Sequence, residues 1–348
     1  MDSSPKTGRV AGPAAAAAIA RPETPSARPL DWVNILTIVS IHLLGLAGVW
    51  WVAFSGNFHW ATLVLAAFWY VMCGFAITGG YHRLFAHKAY AAHPILKAVH
   101  LFFGAASVQN TALKWSADHR VHHAHSDTEL DPYSITKGFF WAHVGWILVG
   151  GRDADLSLVK DLEKDRLIRW QHRFYVPLAV FAGALAPMLI AWTWGDPIGG
   201  LLFAGCARLV LQWHATFSVN SFAHMIGSRP YDADSTARDS WIVALMTFGE
   251  GYHNYHHKFP SDYRNGVRWW QFDPTKWTVW SMSKIGITRD LRRAKNADKY
   301  KLATTLRRAQ EAAAEAAASA SAKASAAAAN AASAAKAAAA KPSTGTNF

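Results

Sequence analysis

The sequence predicts an all-α integral membrane protein: four transmembrane helices arranged as two hairpins, with a cytosolic cap of shorter helices. Three observations carry this. Hydrophobic residues fill 51% of the 348 positions and include 17 Trp, more apolar than an ordinary soluble chain. Four runs, 32–54, 58–80, 174–195 and 197–220, contain a single Asp, Glu, Lys or Arg, which is Arg208, and about 20 apolar residues cross a bilayer core at ~1.5 Å per residue. Lys and Arg are also distributed unevenly. Residues 81–173 carry 12 of them, whereas the turns at Ser55-Gly56-Asn57 and Gly195-Asp196-Pro197 carry none, so the turns face out and both termini face the cytoplasm.

Residues 1–30, rich in Ala, Pro and Ser, read as a disordered tail, because the run from Ala14 to Ala18 is too short and too soon followed by prolines for a signal peptide. The membrane domain occupies 31–300. Between the hairpins, 95–113 and 139–151 are apolar but short or broken and read as segments lying on the cytoplasmic leaflet, as does 241–249. From Gln310 the chain becomes Ala, Ser and Lys repeats to Lys341, and 301–348 reads as a low-complexity tail with almost no large apolar side chain to pack.

A net charge of +12 would suggest nucleic acid in a soluble protein. Here the basic residues flank apolar spans and no aromatic-basic module is present, so the charge reads as membrane-surface signal and nucleic acid is excluded as a partner. Cys73 and Cys206 lie in apolar runs and offer neither a disulfide framework nor a CxxC metal site.

The chemistry lies in the histidines. Residues His119 to His125 hold four imidazoles in seven positions. On a helix His119 and His123, at i and i+4, share a face, while His122 addresses a second point about 100° away. His253, His256 and His257 repeat the arrangement. His82 and His87 are five apart, a spacing at which an α-helix brings side chains together only where it ends. With His224, nine candidate ligands gather on one side of the membrane. Imidazole suits iron, zinc or copper, and nine exceeds what one ion uses, so the cap is expected to carry a dimetal centre. Asn220, one turn before His224, either holds a metal-bound water or bonds a neighbouring helix. Asp118, Glu129, Asp131 and Glu250 are placed to orient imidazole N–H groups. The isolated residues His42, His59, His93, His100, His143, His172 and His214 read as structural.

Four segments then carry a resemblance: His82-Arg-Leu-Phe-Ala-His87, Asp118-His-Arg-Val-His-His123, Asn220-Ser-Phe-Ala-His224 and Gly249-Glu-Gly-Tyr-His-Asn-Tyr-His-His257. In order and in register with four spans, they make the chain resemble the membrane-bound fatty acyl desaturases, closest to the stearoyl-CoA (delta-9) type, over roughly residues 32–290. The resemblance implies two irons, one held by His82, His87, His119, His123 and His256. The other is held by His122, His224, His253 and His257, with Asn220 reaching it through water, and His125 falls at a non-ligand position. It also implies the reaction: O2-dependent insertion of a cis double bond into a saturated acyl chain, in unsaturated fatty acid biosynthesis. The methylene attacked has no acidic proton, so an oxidising metal centre must start the chemistry.

Trp115, Thr216 and Phe217 are the expected tunnel wall, and Asn34, Asn110 and Asp118 match positions that hold coenzyme A. The carrier contacts also depart from the pattern. Ala117 stands for an arginine, Gly150-Gly151 for an Arg-Lys pair, and Phe217 for a tryptophan, while Arg152 and Lys114 are cations available in exchange. The acyl group therefore arrives on coenzyme A, on acyl carrier protein or in a phospholipid. No haem, nucleotide or iron–sulfur motif is present, which calls for a separate electron donor, a cytochrome-like protein, ferredoxin or reductase, on the basic face. A bacterial inner membrane is the expected location. The related reading is a diiron hydroxylase, and from another class a histidine-rich metal transporter, which would need ionisable ligands at mid-membrane.

Overall fold

The structure, a computed structural model that describes residues 29–150 and 153–339, is helical apart from one short antiparallel ribbon, Ala91–Ala92 (β1) against Thr288–Arg289 (β2). Residues 1–28, Gly151, Arg152 and 340–348 lie outside the described residues, and with them most of the N-terminal stretch and the Arg152 alternative. Helix α1 runs Trp32–Phe54. Asp31 caps it by accepting from the Asn34 backbone N–H at 3.0 Å, the kind of bond that satisfies an orphan first-turn donor.

The second apolar helix is longer than the 58–80 reading. Helix α2 runs Trp60–Ala86, because beyond Phe75 its backbone widens to π spacing over Ala76–Ala86 instead of stopping. The partner hairpin comprises α7, Tyr175–Trp192, and α8, residues 197–220, which is continuous through Pro197–Gly199, Gly200–Ala207 and Arg208–Asn220. Among the described residues three helices, α1, α2 and α7, are long and apolar enough to cross a membrane, and the protein is an integral membrane protein. The expected count of four is thus three by this measure. The fourth segment keeps its helix but loses apolar character where Arg208, Gln212 and His214 enter it.

Two further π stretches, Phe181–Leu185 and Gly200–Ala207, interrupt α7 and α8. Arg208 is buried against them and donates to the carbonyls of Gly183 and Ala204, and to Ala106, at 3.1–3.2 Å. It thereby supplies donors where backbone in an apolar setting most needs them. At the far end Asp196 is buried and joins both hairpins: it accepts from Thr62 Oγ1 at 2.6 Å and Trp51 Nε1 at 3.1 Å, and it caps α8 through Gly199 N. Helix α1 lies against α8 through Gly45 and Gly48. A Cβ at Gly48 would collide with the backbone of Leu202.

The cap starts with α3, Pro94–Ala106, and α4, Ala112–His125. These divide the expected 95–113 segment, which breaks where Val108 and Asn110 take left-handed backbone (φ 48° and 77°). Short helices follow: α5, Phe139–His143; α6, Arg166–Arg173; α9, Phe222–Met225; α10, Trp241–Met246; α11, His253–Lys258; and α12, Pro274–Lys284. The Ala/Ser/Lys stretch forms one helix, α13, Ala297–Ala339. Alanine has the highest helix propensity, and most of the described side chains of α13 are exposed.

Candidate metal centre

Each ligand segment reaches the site by a different local device. The π stretch of α2 bonds the His87 N–H to the His82 carbonyl at 3.1 Å, an i→i+5 closure that turns both rings to one side, which α spacing cannot do. On α4 the i, i+4 relation delivers His119 and His123. Helix α8 ends at Asn220, and His224 sits in the separate turn α9, so the two are not on one continuous helix. The approach to α11 depends on glycine. Gly249 has φ 98° and its Cβ would sit 2.7 Å from Asp273 Cγ, while a Cβ at Gly251 would enter the backbone of α10.

The result is two adjacent groups, His82, His87, His119, His123 and His256 in one and His122, His224, His253 and His257 in the other. Within each, one nitrogen per ring lies within 4.8 Å of all the rest. The nitrogens turned inward are Nε2. His82 faces His256 at 2.9 Å, His87 faces His119 at 2.8 Å and His123 faces His256 at 3.0 Å; in the second group His257 faces His253 at 3.0 Å and His122 at 3.2 Å. His125 belongs to neither group.

Partners at the outer nitrogen help to orient some of the rings. His82 Nδ1 lies 2.8 Å from Glu250 Oε2 and His122 Nδ1 lies 2.9 Å from Asp131 Oδ1. His224 Nδ1 donates to Thr236 Oγ1 at 2.7 Å, and Thr236 donates in turn to Asp127. A ring that donates through Nδ1 keeps a lone pair on Nε2. Inward lone pairs facing one another repel unless a cation lies among them, and His224 Nε2 is buried with no hydrogen-bond partner among the described residues. The donor set therefore fits metal ions of the imidazole-preferring kind.

Electrostatics agree. Burial, reinforced by the neighbouring imidazoles, pushes His119, His123, His253, His256 and His257 well below the ordinary histidine range. Burial and His122 bring His224 to about 4. These rings stay neutral at pH 7, the state in which imidazole binds a metal. Burial alone would raise Glu250, yet His82 and Arg83 outweigh it and hold the carboxylate at about 2.

Among the four carboxylates singled out in the sequence, Asp131 and Glu250 meet ligand rings. Glu129 is exposed, near Lys137, and Asp118 lines a cavity. Thr236, Asp127, Tyr133 and Arg83 were not singled out. For Arg83 a signal existed, since it is a charge directly beside His82 at the end of an apolar run; it is buried between Glu250 and Asp273.

That cavity, of about 1010 Å³, is bordered by His82, His119, His122 and His253. Asn34, Asn110, Trp115, Asp118, Thr216, Phe217 and Asn220 all line it, together with Ile77, Leu209 and Val180. Trp115 stacks on His119 at 4.8 Å, Thr216 accepts from Gln109 at 2.9 Å, and Asn34 Nδ2 donates to the Ile147 carbonyl at 3.1 Å.

Helices long and apolar enough to cross a membrane, two all-histidine groups able to hold metal and a cavity beside them define a class: an integral membrane protein built around a candidate histidine metal site. Residues 58–288 match the family described as Fatty acid desaturase, and the chain belongs to that family. Among curated proteins it is 43% identical over 267 residues to the Schizosaccharomyces pombe "Probable acyl-CoA desaturase", covering 76% of this chain and 55% of that one. It is 40% identical over 272 residues to Saccharomyces cerevisiae acyl-CoA desaturase 1, covering 76% and 52%. To Capra hircus stearoyl-CoA desaturase it is 36% identical over 276 residues, covering 76% and 75%. The chain thus spans about half the length of the two yeast relatives.

Proposed function

We propose that this chain is a fatty acyl desaturase that uses O2 and an external electron donor to place a cis double bond, delta-9 in type, in a saturated acyl chain presented as acyl-CoA. The carrying observation is the cavity: it holds about 1010 Å³, is mostly apolar, and is bordered by histidines from both groups. The names of the relatives, acyl-CoA and stearoyl-CoA desaturases, support the substrate. The membrane domain, 31–300, has residues 197–220 as its fourth span; its cap and both termini are cytosolic, with 301–348 as an appended tail.

In this reading His82, His87, His119, His123 and His256 hold one iron, and His122, His224, His253 and His257 hold the other. Asn220, at the end of α8 on the cavity wall, positions a water on the second. Bound there, the reduced pair supplies the O2-activating oxidising power that an unactivated C–H bond demands. The protein's own part is placement. Trp115, held by its stack on His119, and Phe217 and Thr216 on α8 form a wall that fixes which carbons lie beside the ligand rings. Asn34, Asn110 and Asp118 supply polar contacts for the carrier, and Lys114 supplies a charge in exchange for the arginine that Ala117 replaces. An electron donor docks on the basic cytosolic face.

The test is mass spectrometry of total fatty acids, with bond positions mapped, from cells expressing the wild type or His256→Ala together with a redox partner. A cis monoene made only by the wild type is the expected result. A hydroxylated chain would reassign the centre to hydroxylation, and an unchanged lipid profile would overturn the proposal.

A further inference from the structure

We propose that the two histidine groups are electrostatically unequal, and that Asp131 is the positioning residue that makes the pocket of His122, His224, His253 and His257 the more electron-rich of the two. The inference rests on the metal-centre reading above and goes beyond it by separating the two positions.

Each group has one ring backed directly by a buried carboxylate, but the two carboxylates are treated differently. Glu250, behind His82, shares its charge: Oε1 accepts from Arg83 Nη2 at 2.8 Å and Nε at 3.2 Å, and Oε2 accepts from Asn265 Nδ2 at 2.6 Å. Arg83 goes on to Asp273 and the Tyr263 carbonyl, so the guanidinium lies within a chain of acceptors.

Asp131, behind His122, is 1% exposed and has no such counterweight. Its Oδ1 takes His122 Nδ1 and the Tyr133 backbone N–H at 3.2 Å. Its Oδ2 is buried with no partner among the described residues, and no Lys or Arg pairs with it there. A second carboxylate serves the same group: Asp127 reaches His224 through Thr236 and lies 4.0 Å from His224 Nδ1. Among the described residues Asp127 also has no Lys or Arg partner.

A carboxylate that keeps its full charge pulls on the imidazole N–H and raises the donor strength of the opposite nitrogen. One that shares its charge with a guanidinium does so less. His122 Nε2 is therefore the stronger donor relative to His82 Nε2, in the group with four rings rather than five. A cation in that pocket is stabilised more as its charge increases, so its potential lies below that of its neighbour.

The test uses the full chain in detergent, reconstituted anaerobically with ⁵⁷Fe(II) and followed by Mössbauer spectroscopy during stepwise oxidation. The wild type is expected to give two doublets of equal area, one converting before the other. Asp131→Asn is expected to shift the first-converting doublet and leave the second in place. It should also release one of the two iron equivalents to a chelator about ten- to a hundredfold faster. A wild type whose two irons convert together overturns the inference without any variant, so a misfolded Asp131→Asn does not blunt the test. A folded Asp131→Asn in which neither doublet moves, or both move alike, overturns it as well. Binding of fewer than two iron equivalents by the wild type would instead sink the metal-centre reading itself.

Discussion

His256 touches His82 on α2 and His123 on α4, so the five-ring group is closed only when three separate elements are in place. Loss of one ring leaves inward lone pairs without their shared cation. His123→Ala is expected to abolish double-bond formation and lower bound metal, measured as moles of metal per mole of folded protein. Asn220→Ala removes an amide from the cavity wall but no ring, so turnover should fall while much of the metal stays; an unchanged rate would make Asn220 a packing residue. The pH dependence follows from the depressed histidines. In the metal-free folded protein His119, His123, His253, His256 and His257 remain neutral well below the usual histidine range, whereas the unfolded chain takes up protons at about pH 6.5. The unfolded state then binds more protons. Stability is therefore full above about pH 6.5 and declines below it, by about 1.4 kcal/mol per pH unit for each such group. The thermal midpoint of the metal-free protein in detergent should fall steeply from pH 7 to 5; a flat profile would mean that these rings are solvated. His-x-x-His-His was legible in the sequence because i, i+4 spacing is a property of any α-helix. The outer partners were not, since Asp127, with its left-handed backbone (φ 66°), and Thr236 come from loops whose path no periodicity encodes.

At the scale of elements, charge-free runs were readable because a bilayer tolerates little else, and α1 occupies the whole of the first run. The ends of the elements were harder to read. Helix α2 outran its apolar stretch because it continues as a π-helix, and a period of 3.6 residues has no way to announce a wider turn. The contact between α1 and α8 depends on close approach at Gly48, where backbone meets backbone. Gly48→Val should force α1 off α8 and destabilise the protein by about 1–3 kcal/mol, as overpacking does, read as a lower thermal midpoint in detergent. An unchanged midpoint would show that α1 is held elsewhere.

Across the whole molecule, the site and the cavity are built from α1, α2, α4, α7, α8, α9, α11 and neighbouring loops, and among the described residues α13 supplies no ligand histidine and no cavity-lining residue. Its links to the rest include Thr304 Oγ1 to the Tyr231 carbonyl at 3.2 Å and an exposed Arg307–Asp234 pair at 2.8 Å, of a kind that adds little stability. Ending the chain after Arg308 keeps both, and activity and metal content should match the full chain within a factor of about two, since such surface pairs are weak. A folded but inactive truncation would assign α13 a role in docking the electron donor.

The widened turn of α2 also separates two tasks that a uniform helix would lock together. On the membrane side its residues face their neighbours in ordinary α phase, with Trp69 donating to the Ala182 carbonyl. On the cap side the rings obey a different phase, and the π stretch is where the two are reconciled. Deleting one residue from Ala76–Thr78 while the rest of the stretch kept its π spacing would swing His82 by roughly a quarter turn relative to the membrane half. The stretch thus behaves as a fixed phase adapter, and natural length variation should be rarer there than in any loop of the cap.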